Sequence, residues 1–436
     1  MGKTLINLDE KQKEIVMCED NKIVVVAAAG SGKTRVLTER IKRLLSDGVE
    51  PASIIAITFT NMAADEMRER LSEVENSGDV FIGTIHSFAN KILRKSGYDY
   101  SLLTQQKEND YAEHLLRNYG SHLTFERYLK YKDAEYLYNS GRLSEREFIG
   151  FLLPSEKAEF DIITGKKPKD KFRHTIYTLG KENGVITFTE LIEKATEYFS
   201  SAGVSIEHVL VDEFQDVGYP QFEFVMALNA NNYFIVGDDW QSIYSFNGGD
   251  VAMLLGLIKN DIWTKFYMDK NYRSGKKIIR MANDVIEDLL RAGDDSIIRK
   301  KVKAISEETG TVNIKTRHKL KESLLMIDSL GNYKDWFILT RSNKDLFHIS
   351  NELEDLNIPH TTFKKSDLTL DEMRLLMAAN TIKVLTVHTA KGLENKNVIL
   401  YGNFPLTCKI NLEYSEERRI MYVGMTRAEE TLLILN

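Results

Sequence analysis

Gly30-Ser31-Gly32-Lys33-Thr34 concentrates more chemistry than any other stretch of this 436-residue chain. It follows Ile23-Val24-Val25-Val26-Ala27-Ala28-Ala29, an apolar run of strand length, and precedes a segment with Leu37, Ile41, Leu44 and Leu45 at helical spacing. A strand breaking into a small-residue turn that opens a helix makes a cradle for phosphate. Backbone N–H groups and the helix N-terminus turn partial positive charge toward the phosphate oxygens. Lys33 adds a full charge, and the Thr34 hydroxyl suits a Mg²⁺ ion. The spacing G-x-x-x-x-G-K is not met, because Ala27 stands where the first glycine belongs. The strand before and the periodic helix after carry the reading. The expectation is a nucleoside triphosphate, ATP with Mg²⁺, held around Ala29, Gly30, Ser31, Gly32, Lys33 and Thr34.

Breaking a phosphoanhydride also requires a metal ligand and a group that polarises water. Asp212 closes a second apolar run, 209–211, and is the natural partner of the metal, while Glu213 beside it can act on the water. An Asp-Glu pair after a strand is by itself weak, since it also serves as a helix N-cap. Downstream of Gly-Lys-Thr, and continued as Asp212-Glu213-Phe214-Gln215-Asp216, it is a much stronger signal. Gln12 stands three residues after Asp9, as in a capping box, and its amide also offers the donor and acceptor that read an adenine edge.

The elements that must hold these groups follow an α/β rhythm. Strands are expected at 54–58, 80–83, 209–211 and 233–236, with one helix from Met62 and another following Thr84-Ile85-His86-Ser87-Phe88 to about Lys95. A second block begins near Asp269, with a helix carrying Ile278, Ile279, Ala282, Val285, Ile286 and Leu289. Strands at 312–314, 336–339, 382–386 and 397–401, a helix from about Ser415 and a last strand at 432–435 complete it. Such alternation specifies mostly parallel sheets with ligands at the carboxyl ends of strands. Between 98 and 184 the texture changes to Tyr, Leu, Lys and Glu with few β-branched runs, which reads as a helical insertion. Its Lys166-Lys167-Pro168-Lys169-Asp170-Lys171-Phe172-Arg173 stretch is a basic loop, and a solvated turn is the plain account of it.

Bulk composition sets the outer bounds. A hydrophobic content of 43% with 28% charged residues describes an ordinary globular chain of several domains. Cys18 and Cys408 supply neither a disulfide framework nor metal-ligand spacing, which suits a reducing cytoplasm. No apolar run reaches membrane-spanning length, and an N-terminus with Asp9, Glu10 and Glu14 does not read as a signal peptide. The net charge of −6 argues against a protein that coats nucleic acid nonspecifically, but not against a local basic track.

Taken in order, the motifs resemble those of superfamily-one DNA helicases of the UvrD/Rep/PcrA type. The match runs through Ile55-Ala-Ile-Thr-Phe-Thr-Asn61, Gly83-Thr-Ile-His-Ser-Phe88, Val211-Asp-Glu-Phe-Gln-Asp216 and Gly237-Asp-Asp-Trp-Gln-Ser-Ile-Tyr244. It continues in Asn271-Tyr-Arg-Ser274, Leu385-Thr-Val-His-Thr-Ala-Lys-Gly-Leu-Glu394 and Glu416-Glu-Arg-Arg-Ile-Met-Tyr-Val-Gly-Met-Thr-Arg-Ala428. The resemblance implies two RecA-like P-loop domains with parallel sheets, plus the helical insertion in the first. The boundaries fall at 1–97, 98–184 and 185–268, with the second motor domain at 269–436. It implies that Gln12 reads adenine between Arg35 and Tyr272, that Glu394 also belongs to the nucleotide site, and that Gln241, Arg273 and Arg427 reach the γ-phosphate. Phe59, Asn61, His86, Tyr244, Phe246 and His388 fall where the family contacts single-stranded DNA. Core packing is the competing account of the aromatics among them. The implied activity is DNA-stimulated ATP hydrolysis driving 3′-to-5′ movement on single strands, with unwinding at single/double-strand junctions. A translocase subunit of a larger repair, phage or anti-phage complex, or an ATP-switched DNA sensor, are the alternatives.

Departures from the family are informative. Met62 replaces the family's lysine after Thr-Phe-Thr-Asn, and Asn247 replaces an arginine linking the DNA track to the ATP site. Only about 110 residues separate Ser274 from Ile382, enough to complete a motor domain but not to hold the family's large second-domain insertion. Asn436 precedes the point at which the family's strand-separating hairpin would lie. On this reading a partner protein or the basic loop must hold the fork. Neutralising Lys166, Lys167, Lys169 and Lys171 together is therefore expected to reduce strand displacement more than single-strand-stimulated ATPase. Equal loss of both, or of neither, would assign the fork to a partner.

Overall fold

The structure is a computed structural model that describes residues 8–118, 121–139, 153–166, 175–203, 205–245, 248–362, 369–405 and 415–436. It divides into two compact units. The larger comprises Met1–Ile85, Ser205–Phe222 and Asn229–Asn436, and the smaller comprises His86–Val204 with Glu223–Leu228.

The larger unit is built on two six-stranded parallel sheets. The first contains β1 (Lys22–Ala27), β2 (Ile54–Thr58), β3 (Phe81–Thr84), β4 (His208–Val211), β5 (Asn232–Gly237) and β6 (Thr264–Met268), in the order β3-β2-β4-β5-β1-β6. β1 and β2 are buried almost throughout, as strands covered on both faces must be, and this is why they read as continuous Val/Ile runs rather than as alternation. Because β4, β5 and β1 are neighbours, the turns leaving their carboxyl ends converge. Those turns carry Asp212–Glu213, Asp238–Gln241 and Ala28–Gly32.

The second sheet contains β7 (Thr311–Lys315), β8 (Trp336–Thr340), β9 (His360–Thr362), β10 (Ile382–Thr386), β11 (Asn395–Tyr401) and β12 (Ala428–Leu435), in the order β7-β12-β11-β8-β10-β9. Between Ser274 and β10, the helices Lys276–Arg291, Leu320–Leu330 and Asn343–Asp355 bury their apolar stripes in the two clusters flanking this sheet. That segment is thus spent on the sheet itself. β6 and β9 were not foreseen from the sequence. Both are edge strands, β6 mixing Lys265 and Tyr267 with its apolar residues and β9 being only three residues long, so neither has the apolar continuity of a central strand.

Among the described residues the smaller unit is helical, apart from the pairing of Ser101–Leu102 with Val185–Ile186. Tyr128, Tyr131 and Phe160 centre one cluster, the Tyr131 and Phe160 rings meeting edge-on at 4.4 Å. The unit is wider than the segment 98–184. Phe88 of helix Ile85–Lys95 packs on Phe199 of helix Phe188–Ala202 and on Phe224, at 6.2 and 6.1 Å, and these ring contacts draw both helices into it. Lys166 lies 5.5 Å from the Phe160 ring, and the rest of the basic stretch, 167–173, falls outside the described residues.

Candidate nucleotide and DNA site

The phosphate turn has the backbone its glycines were expected to permit. Gly30 and Gly32 adopt φ of +64° and +85°, and Gly32 caps helix Lys33–Ser46 without a side-chain bond, which leaves the first turn's N–H groups for a ligand. A Cβ on Gly30 would stand 2.5 Å from Asn271 Nδ2 and 3.0 Å from Arg273 Cβ. This close approach is needed because the entry to the second domain is laced to the turn. Asn271 Nδ2 donates to Ala29 O at 2.8 Å, and Tyr272 N donates to Gly30 O at 2.9 Å.

Gln12 completes the expected capping box with Asp9, and its Nε2 also donates to Ser31 O at 2.9 Å. One buried amide therefore ties the first helix to the phosphate turn. Tyr272 remains 44% exposed, with its hydroxyl on Asp9. Asp9, Gln12, Ser31, Met268, Lys270 and Tyr272 line a small cleft at this edge. Arg35 stands in the first turn of the helix that follows the phosphate turn.

At the turn after β4, Thr34 Oγ1 donates to Asp212 Oδ2 at 3.0 Å, and Lys33 Nζ lies 3.5 Å from Glu213 Oε1. Glu213 holds a left-handed backbone, φ +52°, a conformation costing about 1–2 kcal/mol for a residue with a side chain. Burial pushes the Asp212 carboxyl up, helped by the adjacent Glu213 charge. Burial pushes Glu213 up as well, but Lys33, Lys391, the Gln215 amide and Arg427 more than offset it and hold this carboxylate well below the usual range. The two neighbours thus differ in character: the Lys33 charge only partly offsets the burial of Asp212, whereas Glu213 is a firmly ionised acceptor.

The second sheet answers with cations from the segments entering β11 and β12. Lys391 Nζ donates to Asp216 and to Gln241 O (2.8 Å for the latter), lies 4.0 Å from Glu213 and sits 5.0 Å from the Tyr244 ring. Arg427 is buried and bonds only neutral acceptors among the described residues: Val423 O, Leu393 O, Thr426 Oγ1, and Gln241 Oε1 at 3.2 Å. Burial and the nearby Arg273 charge bring its guanidinium down to about 9. Among the described residues no carboxylate bonds this guanidinium directly, and the charges of Glu394 and Glu213 only partly offset its burial, an environment that favours an anion at its edge. Arg273 donates to Thr426 O at 3.1 Å and is ion-paired with Glu394.

The aromatic residues lie just past strand ends. Phe59 is 36% exposed and stacks on Tyr244, centroids 5.1 Å apart, and Tyr244 OH donates to His388 O at 3.0 Å. Phe59 is therefore not a core residue. Asn61 is exposed at the first position of helix Asn61–Leu71. His86 belongs to the helical unit, edge-on to Phe188 at 5.4 Å. Phe246 and Asn247 lie outside the described residues.

Residues 8–261 match the UvrD/REP helicase N-terminal domain, and 266–369 with 363–436 match the UvrD-like helicase C-terminal domain. The chain belongs to the UvrD/REP helicase family. A probable DNA helicase of Mycoplasma pneumoniae is 28% identical over 99% of this chain and 83% of its own length. A probable DNA helicase II homolog of Mycoplasma capricolum is 27% identical over 98% of this chain and 61% of that protein. DNA helicase II of Escherichia coli is 31% identical over 65% of this chain and 41% of that protein. The chain thus spans about two fifths to four fifths of these relatives. Within the larger unit the UvrD/REP motifs meet at the line between the two sheets. Lys391, Gln215 and Asp216 belong to those motifs, yet their part in the site went unread in the sequence; Lys-Gly-Leu-Glu beside a run of small residues was the available signal.

Gly30→Ala tests the close approach at the phosphate turn. The left-handed backbone should cost about 1–2 kcal/mol and the clash with Asn271 a further ~1–3 kcal/mol. Both should appear as a lower thermal midpoint and weaker binding of a fluorescent nucleotide. An unchanged midpoint would contradict the lacing of Asn271 and Tyr272 to the turn.

Proposed function

We propose that this chain is an ATP-dependent DNA helicase or translocase that moves 3′-to-5′ on single-stranded DNA. The observation that carries the reading is Arg427, a buried guanidinium from the second sheet that bonds Gln241 of the first and makes no direct ion pair among the described residues. A triphosphate whose γ-phosphate met Lys33, Gln241, Arg273 and Arg427 would join the two sheets, and its loss would separate those charges. The residues suited to Mg²⁺ are Thr34 and Asp212; the ion would neutralise phosphate charge there. Glu213, ionised and a quarter exposed, accepts a proton from the attacking water. Gln12, Tyr272, Arg35 and Glu394 belong with the nucleoside, and release of Arg273 from Glu394 would free it for phosphate.

Phe59, Asn61, Tyr244 and His388 form the DNA track of the larger unit, with His86 and Phe246 as further contacts. A base stacked on an aromatic face is held regardless of its identity, as a motor stepping along any sequence requires. The family resemblance supports the polarity of movement.

The test has two arms. Glu213→Gln should retain ATP binding while hydrolysis falls roughly 10²–10⁴-fold; near wild-type turnover would remove Glu213 as the base. Phe59→Ala should raise the single-strand concentration that half-saturates the ATPase by roughly 5–150-fold, the equivalent of about 1–3 kcal/mol per stacked base. A collapsed thermal midpoint without that shift would return Phe59 to a packing role. ATP binding without turnover in the wild type would make the protein a switched DNA binder.

A further inference from the structure

Asp238 and Asp239 are consecutive carboxylates at the end of β5, and neither has any exposed side-chain surface. Two adjacent buried anions require a cation. It comes from the other sheet's domain: Lys300, in the loop after helix Lys276–Arg291, places Nζ 2.6 Å from Asp238 Oδ1 and 2.5 Å from Asp239 Oδ1. Only 5% of the lysine side chain is exposed, and its ammonium lies 4.8 Å from the centre of the Trp240 ring. The loop is fixed on both sides of that ring, since Ile298 N donates to Asp239 Oδ2 at 2.6 Å and Trp240 Nε1 donates to Ile298 O at 3.0 Å.

The Asp238 carboxylate has a second task. While Oδ1 takes the lysine, Oδ2 accepts Gln241 Nε2 at 2.5 Å, which turns Gln241 Oε1 toward Arg427 Nη2 at 3.2 Å. With its nitrogen held by Asp238, the Gln241 amide is fixed with its oxygen toward Arg427. The chain Lys300–Asp238–Gln241–Arg427 therefore runs unbroken from a lysine that no part of the hydrolytic scheme uses to the two groups assigned to the γ-phosphate.

We propose that Lys300 is a positioning residue for ATP hydrolysis, acting through Asp238 to orient the Gln241 amide and, through it, the Arg427 guanidinium. The proposal rests on the hydrolytic reading given above. Lys300 touches no phosphate, and its effect should fall on turnover rather than on capture of the nucleotide, because Lys33 and the phosphate turn are independent of it.

A double-mutant cycle separates this role from a purely structural one. Lys300→Met should lower kcat of single-strand-stimulated ATPase by roughly tenfold or more, with KM for ATP changed by less than about threefold. Lys300→Arg, which keeps the charge, should recover most of the loss. In a Gln241→Ala background, Lys300→Met should lower kcat by no more than about threefold further, since the group it orients is already gone. Should Lys300→Met alone fail to fold, the same cycle is run with Asp239→Asn in every arm, which removes one of the two carboxylates the lysine neutralises. An equal fold-loss in both backgrounds, or an unchanged kcat, would overturn the proposal. A wild-type protein without DNA-stimulated ATPase would overturn the functional reading and this inference together, whereas wild-type activity with additive losses would overturn the inference alone.

Discussion

Lys391 crosses from the segment between β10 and β11 to Asp216 of the first sheet, and Arg427 crosses from the entrance of β12 to Gln241. Both cations are buried, and so are Asp212, Asp216, Asp238 and Asp239 opposite them. Buried charges are tolerated when they are paired, as Lys391 is with Asp216 and Lys300 with Asp238 and Asp239, so these pairs help to fix the register between the sheets. The apolar contribution is nonetheless large. Trp240 and Ile243, which leave β5 of the first sheet, are buried in a cluster that otherwise belongs mainly to the second, with Trp240 edge-on to Tyr422 at 5.4 Å.

On the proposed function, this seam also links the DNA track to the nucleotide site. Lys391 faces the Tyr244 ring on one side and Asp216 and the Gln241 carbonyl on the other, while Tyr244 stacks on Phe59 and bonds the His388 carbonyl. A base competing for the Phe59–Tyr244 stack would therefore disturb a ring already in contact with the cation beside Glu213. The family's arginine at position 247 is asparagine here, and the Tyr244–Lys391 contact offers a route between the two sites that does not depend on it.

How much of this was legible in the sequence depended on whether a residue announces itself locally. β1, the phosphate turn and the helix at Lys33 follow from a Val/Ile run, two glycines and an amphipathic stripe within two dozen residues. Asp212 and Glu213 stand out because they end an apolar strand. Lys391 and Lys300 do not announce themselves, since a lysine reads as solvated until the fold brings it to a carboxylate 175 or 62 residues away. The same holds for the limits of the helical unit. Phe88, Phe199 and Phe224 are ordinary apolar positions on three separate helices, and only their mutual packing assigns helices Ile85–Lys95 and Phe188–Ala202 to it. In the sequence Gln12 suits either a cap or an adenine contact. Its amide performs the cap and also binds the phosphate turn, so an adenine would meet a group already set in place.

On the proposed function, the second sheet senses the γ-phosphate through Arg427, a buried arginine bonded to the first. The most direct measurement is the affinity of the protein for a non-hydrolysable ATP analogue relative to ADP, by calorimetry, in the wild type and in Arg427→Ala. The wild type should prefer the triphosphate, and the variant should lose most of that preference while its ADP affinity changes little. A preference for triphosphate that survives the loss of Arg427 undiminished would contradict that role for Arg427.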